Sequence, residues 1–134
     1  MYPTASLHEV LYVSTMAPAA PISIVADIAP KARVANKAKE ITGLLIFDGM
    51  RFCQQLEGGR REVLALTERI RQDPRHTNVE ILHHGPLAER RFRRFSLGYA
   101  SMDEIDELAR MEQLGGKVAV NAFLALLPGL DLES

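Results

Sequence analysis

The chain has 134 residues, of which 47% are hydrophobic and 25% are charged, and its formal net charge at pH 7 is −1. This composition is typical of one globular domain, and the near-neutral charge argues against a nucleic-acid or membrane partner. The single cysteine, Cys53, excludes an internal disulfide, and no secretory signal or apolar run of roughly 20 residues is visible, so we expect a cytoplasmic protein.

The first elements are a strand and a long helix. Residues Leu7 to Ser14 are mostly apolar and strand-compatible, and they predict a first strand. Helical spacing of apolar residues from Ile22 to Glu40 predicts the helix. Pro30 lies inside it. Because proline removes one helical hydrogen bond and clashes with the preceding turn, we expect a kink or a break near Ala29.

The run from Ile41 to Gly58 predicts two strands joined by a tight turn at Asp48-Gly49, since glycine tolerates a positive φ. The second strand carries two amides, Gln54 and Gln55, among apolar neighbours. Successive strand residues point to opposite faces, so one of the two amides must look inward. A buried amide needs partners for its oxygen and its NH2 group, which indicates a polar group of the protein or of a ligand inside.

The second half of the chain contains five further predicted elements. They are a helix over Arg60–Gln72, strands over Val79–His84 and Phe95–Ser101, and helices over Met102–Gln113 and Lys117–Leu127. The basic run Arg90 to Arg94 is most simply a solvated loop, and its alternative role is to bind an acidic partner or nucleic acid.

The element order predicts an α+β fold. Its first six elements match the ferredoxin-like βαββαβ pattern, with an added fifth strand and two C-terminal helices. One face of the sheet should carry the two long helices. The last helix is apolar nearly all round, so residues 102–134 should cover the other face of the 1–101 core or form a dimer or output surface.

Four short motifs occur in order along this pattern. They are Tyr12-Val13-Ser14, Asn36 with Ile41-Thr42-Gly43, the run Phe52 to Gly58, and Asp73-Pro74-Arg75-His76. From about Leu7 to Ser101, their order and spacing resemble the BLUF family of blue-light sensors that use flavin. The resemblance implies a photoreceptor that is not an enzyme. It also implies a bound flavin, usually FAD, with FMN and riboflavin as alternatives because they share the same ring.

The resemblance implies a role for each matching residue. Tyr12 matches the tyrosine that donates an electron and a proton to the excited flavin, and Gln54 matches the glutamine that bridges this tyrosine and the ring. Asn36 matches the asparagine that bonds the ring edge. Polar positions at the other end of the pocket match Arg69, Asp73, Arg75 and His76, and apolar ring contacts match Ile28, Leu45, Phe52 and Ile70.

The chain departs from the family in the fifth strand. Phe95 and Leu97 stand where BLUF proteins commonly have a tryptophan and a methionine that exchange places during signalling. Phe95 cannot donate an indole N–H, and Leu97 lacks the flexible thioether. We expect the primary photochemistry to survive, while the route of the signal through this strand stays open. Ala32 and Ala35 also replace residues that are polar in many members.

Two other functions stay open from the residues alone. The fold permits an enzyme. However, no nucleophile–base pair is visible, and the adjacent His83 and His84 alternate faces, so we predict no metal site. A ligand-free interaction module would use the basic run and the last helix. For a photoreceptor, we expect output through an unidentified partner protein or through self-association as a homo-oligomer.

Overall fold

This computed structural model describes residues 7–17, 24–92, 97–101 and 106–129. These residues form five strands and four α-helices. The strands are β1 (Leu7–Met16), β2 (Thr42–Phe47), β3 (Arg51–Gly59), β4 (His76–Pro86) and β5 (Gly98–Ser101). The helices are α1 (Ile24–Ala38), α2 (Arg60–Gln72), α3 (Asp106–Met111) and α4 (Gly116–Leu126), and a short 3-10 turn follows at Leu127–Gly129. Among these helices, none is long and apolar enough to cross a membrane.

The strands form one sheet in the order β4-β1-β3-β2-β5. Neighbouring strands are antiparallel, except that β5 runs parallel to β2. The predicted α+β fold is confirmed, because the elements from β1 to β4 follow the ferredoxin-like βαββαβ order and β5 adds a fifth strand at the β2 edge. The two central strands, β1 and β3, therefore carry side chains toward both layers of helix.

Both faces of this sheet are covered, since the side chains of each strand alternate between the two sides. On one face, Val10 and Leu56 pack with Val63 of α2. On the other face, Leu11 packs in a cluster with Phe123 of α4. The C-terminal helices thus lie on the chain's own sheet, opposite to α2.

Pro30 does not break the first helix. The α1 helix continues from Ile24 to Ala38 with Pro30 inside it, so the break expected near Ala29 is wrong. Pro30 is exposed, and the carbonyl that loses its hydrogen bond therefore lies on the side where water can bind it. The two residues with which the predicted helix began, 22 and 23, lie outside the described part of the chain.

Two strands are longer than the sequence predicts. Strand β1 runs on to Met16, and β4 runs from His76 to Pro86 where Val79–His84 was expected. The ends of these strands pair with one another, Met16 with His76 and His8 with Pro86. Backbone pairing thus extends strands through residues of low strand propensity, and an edge strand tolerates proline.

Two other predicted elements touch residues that the structure does not describe. The fifth strand is seen over Gly98–Ser101, and Phe95 lies outside the described residues. The helix predicted over Met102–Gln113 is seen over Asp106–Met111, with residues 102–105 undescribed. The last helix spans Gly116–Leu126, within one residue of its prediction.

The predicted hairpin turn is confirmed. Gly49 adopts a φ of 96°, which glycine tolerates without strain. Oδ1 of Asp48 accepts the backbone N–H groups of Met50 and Arg51 at 2.9 and 2.7 Å, so the turn is held by a local side-chain bond. This turn fixes the pairing of β2 with β3, and hence the position of the glutamines on β3.

Candidate functional site

A cavity of about 290 Å³ lies between α1, α2 and the sheet. Its floor contains Tyr12 of β1, Gln54 of β3 and Leu45 of β2, which are direct neighbours in one row across the sheet. The helices and the turn after α2 form the walls. Predicted site residues in the walls are Asn36, Arg69, Ile70, Asp73, Arg75, His76 and Leu97. The structure therefore brings together ten of the residues that the sequence singled out.

Tyr12 and Gln54 are hydrogen-bonded on the cavity floor. The hydroxyl of Tyr12 donates to Oε1 of Gln54, and the two side chains are 1% and 6% exposed. Their contact follows from the register, because the two residues lie directly opposite each other in the antiparallel pair. Burial raises the pKa of Tyr12, so its phenol is neutral and carries the proton of this bond at neutral pH.

His76 stands next to this pair at the start of β4. Its Nδ1 is 2.9 Å from Oγ of Ser14, and its ring centroid is 4.7 Å from that of Phe52 and 6.5 Å from that of Tyr12. Burial lowers the pKa of His76, an effect that the nearby Asp73 only partly offsets. The imidazole is therefore a neutral group, able to hold one proton on either nitrogen.

Asp73 and Arg75 form an ion pair within the turn after α2. The Arg75 guanidinium donates Nε to Oδ1 of Asp73 at 2.9 Å and Nη2 to Oδ2 at 2.5 Å, and the backbone N–H of Arg75 also binds Oδ1 at 2.9 Å. These bonds hold the pKa of Asp73 below and that of Arg75 above their ordinary values. Both groups are thus charged and mutually compensated at the cavity wall.

The cationic side of the cavity was only partly predicted from the sequence. Lys31 of α1 and Lys39, which directly follows the end of α1, line the cavity together with Arg69 of α2, but only Arg69 was expected there. Helical spacing carries the missing signal, since Lys31, Ala35 and Lys39 follow one another at four-residue intervals and share one helix face. Leu66 also lines the cavity and was not predicted there, although it lies one helical turn before Ile70 and so shares the same face of α2.

Asn36 has two roles, one at the cavity and one at the end of α1. Its side chain is buried at 3% exposure and lines the cavity. Its backbone carbonyl accepts the N–H groups of Lys39 at 3.1 Å and Ile41 at 2.8 Å, close to the end of α1. The same residue therefore ends a helix and presents an amide to the cavity.

Three predicted site residues are absent from the described lining of the cavity. Phe52 is fully buried beside it and stacks on Phe47, with 4.8 Å between the ring centroids. The side chain of Ile28, within α1, and the whole of Phe95 fall outside the described residues. The predicted ring contacts of Phe52 and Ile28 stay predictions.

Leu97 links the cavity to the fifth strand. Its side chain is 1% exposed and lines the cavity, and its backbone carbonyl accepts a 2.7 Å hydrogen bond from Nε of Arg33 in α1. Sequence reasoning missed Arg33, because a contact between residues 64 positions apart leaves no local pattern. This bond ties the helix over the cavity to the start of β5.

The two glutamines of β3 point to opposite faces, as predicted, but both are buried. Gln55 is 1% exposed on the face that α3 and α4 cover, where it bonds Glu9 and Glu57. The expectation that one amide looks inward is confirmed by Gln54, and Gln55 is buried as well, since a sheet covered on both faces has two interiors.

The basic run is not simply a solvated loop. Arg90 donates to Oγ1 of Thr42 at 2.9 Å and to the carbonyl of Glu57 at 3.1 Å, and Arg91 binds the carboxylate of Glu9. Phe92 is buried at 6% exposure. Residues 90–92 are therefore docked on the sheet, which corrects the prediction for this part of the run; residues 93 and 94 lie outside the described part.

The donor set fits a flavin ring. Leu45, Ile70 and Leu97 offer apolar contacts for the flat faces of a ring, and Gln54 and Asn36 offer amides for a polar edge. Within the described ranges, no group of three or more histidine, cysteine or acidic side chains is arranged to hold a metal ion. The cavity is thus suited to an organic ligand with both apolar and polar surfaces.

Comparison with known proteins identifies the family. Residues 7–98 match the sequence profile of BLUF, described as sensors of blue-light using FAD. The chain belongs to the BLUF family. This family is one of blue-light sensors that use FAD, which agrees with the prediction that the chain is a flavin-based light sensor.

Curated relatives of this BLUF chain are longer proteins. The blue light- and temperature-regulated antirepressor BluF of Escherichia coli K12 is 32% identical over 100 residues, which is 75% of this chain and 24% of the antirepressor. The photoactivated adenylate cyclase subunit beta of Euglena gracilis is 49% identical over 55 residues, or 41% of this chain and 6% of the subunit. The chain therefore spans less than a quarter of the length of these relatives.

Solved BLUF structures match over most of the chain. BlrB in its dark state has a TM-score of 0.77 and 29% identity, and the match covers 90% of this chain and 94% of BlrB. BlsA in its ground state has a TM-score of 0.80 and 25% identity, with 96% and 91% covered. The likeness therefore extends beyond the residues that the family profile matches.

Proposed function

We propose that this BLUF chain is a blue-light photoreceptor whose switch consists of Tyr12 and Gln54. The observation that carries the proposal is the buried hydrogen bond from the Tyr12 hydroxyl to Oε1 of Gln54 on the cavity floor. A neutral phenol and a neutral amide can rearrange their hydrogen bonds without creating a buried charge. Such a pair suits a switch that must change state and return unaltered.

The flavin ring would be held between α1 and α2. Asn36 and Gln54 offer amide donors and acceptors to its polar edge, and Leu45 and Ile70 offer apolar contacts to its faces. The bound ring supplies blue-light absorption and, once excited, an acceptor for one electron. Everything else in the switch is done by side chains of the chain itself.

The charged rim of the cavity favours a flavin that carries phosphate. Three cationic side chains lie at the cavity, Lys31 of α1, Lys39 just after α1 and Arg69 of α2, and Arg75 is compensated by Asp73. Cationic groups bind phosphate, whereas riboflavin has none. We therefore propose FAD, with FMN as the alternative; BlrP1 of Klebsiella pneumoniae, a similar structure at 31% identity, is described with FMN.

The proposed chemical step begins at the Tyr12 hydroxyl. Tyr12 would supply one electron to a bound, excited ring, and its phenolic proton would move along the existing hydrogen bond to Oε1 of Gln54 while Nε2 of Gln54 would release a proton toward the ring, so that the side chain stays neutral. Oxidation makes the phenol a far stronger acid, so the two transfers are coupled. Burial of Tyr12 opposes formation of a free phenolate, which keeps the proton on the phenol until the electron leaves.

Gln54 would then keep an altered hydrogen-bonding pattern after the transfers. Its amide has an acceptor at one end and a donor at the other, so rotation or tautomerisation reverses the pattern that it offers to the ring edge. When electron and proton have returned to Tyr12, the turned amide makes a different set of hydrogen bonds. A new hydrogen bond to the ring edge shifts the absorption to longer wavelength.

The output is proposed to run through the other face of the sheet. We assign residues 1–101 to the flavin-binding core and 102–134 to an extension that covers the second face. Within this extension α4 keeps one large apolar side chain, Val118, 62% exposed. The signal would reach a separate partner protein or change self-association.

Visible spectra of the purified protein, in darkness and after blue light, test this proposal together with two variants. Wild type should show bound flavin, a shift to longer wavelength in light, and recovery in darkness. Tyr12→Phe should bind flavin but lose the shifted state, since phenylalanine has no proton and is a poor electron donor. Loss of the hydroxyl also leaves Oε1 of Gln54 without this donor, at a cost of about 1–3 kcal/mol.

Gln54→Leu should likewise bind flavin and lose the shift. Leu11→Ile is the matched control on β1, because the Leu11 side chain packs on the opposite face of the sheet from the cavity; it should retain the shift. A full photocycle in Tyr12→Phe would contradict the assigned switch. A wild-type protein that takes up no added FAD would contradict the flavin site itself.

A further inference from the structure

A polar network lies on the face of the sheet opposite to the cavity. Gln55, the residue after the switch glutamine, donates from Nε2 to Oε1 of Glu9 at 2.7 Å and to Oε2 of Glu57 at 3.4 Å. The exposed fractions of Gln55, Glu9 and Glu57 are 1%, 5% and 0%. One buried amide therefore joins a carboxyl group of β1 to a carboxyl group of β3.

The two carboxyl groups hold the segment before β5. Oε1 of Glu57 accepts the backbone N–H groups of Arg91 and Phe92 at 2.9 and 3.0 Å. The guanidinium of Arg91 binds Oε1 of Glu9. Two independent connections thus run from the sides of Gln55 to residues 91 and 92.

The held segment also touches the C-terminal helices. Phe92 meets Phe123 of α4 edge to face, with ring centroids 6.3 Å apart. Glu9 and Arg91 line a second cavity of about 450 Å³, together with Lys117 of α4. This space lies beside Arg91, whereas Phe92 is packed against Phe123.

The charges in this network are unequal. Glu9 and Glu57 lie directly opposite each other in the register, where two like charges destabilise a sheet. Burial raises the pKa of Glu57 despite the N–H groups that bind it. Burial acts in the same direction on Glu9, but hydrogen bonds from Gln55 and Arg91 outweigh it and lower the pKa of Glu9. The network therefore pairs one ionised and one more readily protonated carboxyl group.

The Gln55 amide is incompletely bonded. Its Oε1 is buried and has no hydrogen-bond partner among the described residues, while one of its donor contacts is long at 3.4 Å. Because Nε2 contacts both carboxyl groups, a turned amide would place Oε1 against both of them: the bond to Glu9 would be lost, and Glu57 could donate to Oε1 when it is protonated. Two arrangements of the same groups are therefore available, which is what a two-state element requires.

We propose that Gln55, Glu9 and Glu57 form the output relay of this protein, and the proposal rests on the photoreceptor function proposed above. Gln54 and Gln55 are joined by one peptide bond. A backbone displacement of β3 at Gln54 therefore also displaces the Gln55 side chain on the other face of the sheet. The carboxyl groups then loosen or re-form their bonds to residues 91 and 92. The signal reaches the segment before β5, and α4 beside it, without a tryptophan at position 95 or a methionine at position 97.

Hydrogen exchange of the flavin-loaded full chain, in darkness and under continuous blue light, tests the relay. Spectra of the same samples report the switch. In wild type, peptides containing Arg91 and Phe92 should exchange roughly tenfold faster in light, as their amides lose the Glu57 acceptor. In Gln55→Leu the spectral shift should persist, while exchange at these amides becomes equal in light and darkness to within about twofold.

Cys53→Ala is the matched control. Cys53 lies two residues before Gln55 on the same strand and the same face, it is fully buried, and it contacts no member of the network through a hydrogen bond among the described residues. This variant should keep both the spectral shift and the light-dependent exchange. Gln55→Met, which keeps side-chain length without polar atoms, is measured in parallel in case the leucine variant does not fold.

The outcomes separate the relay from the switch. A wild-type protein with no spectral shift contradicts the proposed function and the relay with it. A normal shift without faster exchange at residues 91 and 92, or with faster exchange retained in the Gln55 variants, overturns the relay alone. An equal loss in Cys53→Ala, or failure of both Gln55 variants to hold flavin, would assign Gln55 to packing and also overturn the relay.

Discussion

At the scale of single residues, burial decides the protonation states around the cavity. It raises the pKa of Tyr12 and lowers the pKa of His76, so both side chains are neutral near pH 7. The charged pair of Asp73 and Arg75 stands at the wall, where its bonds stabilise both ions. The floor of the cavity is thus a neutral site, and a switch that moves a proton along a hydrogen bond is favoured over one that separates charge.

The lowered pKa of His76 predicts a pH dependence of stability. Below its ordinary pKa of 6.5 the unfolded chain binds a proton that the folded chain binds less readily, so the free energy of unfolding should fall as the pH drops through this range. The slope from one proton is at most about 1.4 kcal/mol per pH unit. Urea unfolding at pH 7.5, 6.5 and 5.5 measures it.

The variant His76→Gln should make this pH profile shallower, because it removes the titrating group. Ser14→Ala is the control, since it removes the hydroxyl beside Nδ1 and leaves the histidine in place. If the free energy of unfolding changed equally with pH in wild type and in His76→Gln, the pH dependence would not come from His76.

At the scale of elements, strand pairing brings together the residues of the proposed switch, Tyr12 and Gln54. The β1–β3 and β2–β3 registers place Tyr12, Gln54 and Leu45 in one row. These registers depend on the turn at Asp48-Gly49 and on a close approach of two backbones at Gly43. A Cβ atom on Gly43 would lie 2.0 Å from the carbonyl oxygen of Gln55, so glycine alone fits there.

Gly43→Ala is therefore expected to destabilise the fold by about 3 kcal/mol or more, because backbone and not a flexible side chain must move. Thermal or urea unfolding measures the loss. Gly85→Ala in β4 is the control, since its Cβ would meet only His83, at 3.7 Å, and the change should stay within about 1 kcal/mol. Equal effects of the two substitutions would contradict the close approach.

Element propensity predicted these strands and helices but not all their ends. The hydrophobic periodicity of α2 and the turn signal at Asp48-Gly49 were sufficient, since both are local. The extra length of β4 was not predictable, because His76 and Pro86 gain strand structure only by pairing with β1. The same holds for the bond from Arg33 to Leu97, which joins elements far apart in the chain.

At the scale of the whole molecule, one sheet carries two interiors. The cavity-side interior lies under α1 and α2, and the second interior contains Leu108, Met111 and Phe123 of α3 and α4. Residues of β3 contribute to both, because the strand is buried on each side. We expect the two interiors to unfold together, since a strand cannot lose one face and keep its pairing unchanged.

Phe123→Ala tests this coupling. The side chain is fully buried against Phe92, so its removal should cost about 3–5 kcal/mol and release flavin in the same transition that unfolds the helices. Circular dichroism and flavin fluorescence, followed in one urea titration, should give coincident midpoints. Val118→Ala is the control and should change little, because Val118 is 62% exposed. Flavin retained after the helices unfold would instead separate 1–101 from 102–134.

The sequence by itself determined the fold class, the hairpin turn and most of the cavity residues, because these depend on periodicity, on turn chemistry and on motifs in a fixed order. Tertiary structure alone decided which polar groups are buried. It placed Lys31 and Lys39 on the cavity, buried Gln55 as well as Gln54, and docked Arg90 and Arg91 on the sheet. Burial depends on what covers a surface, and the covering helices come from distant parts of the chain, so no local pattern reports it.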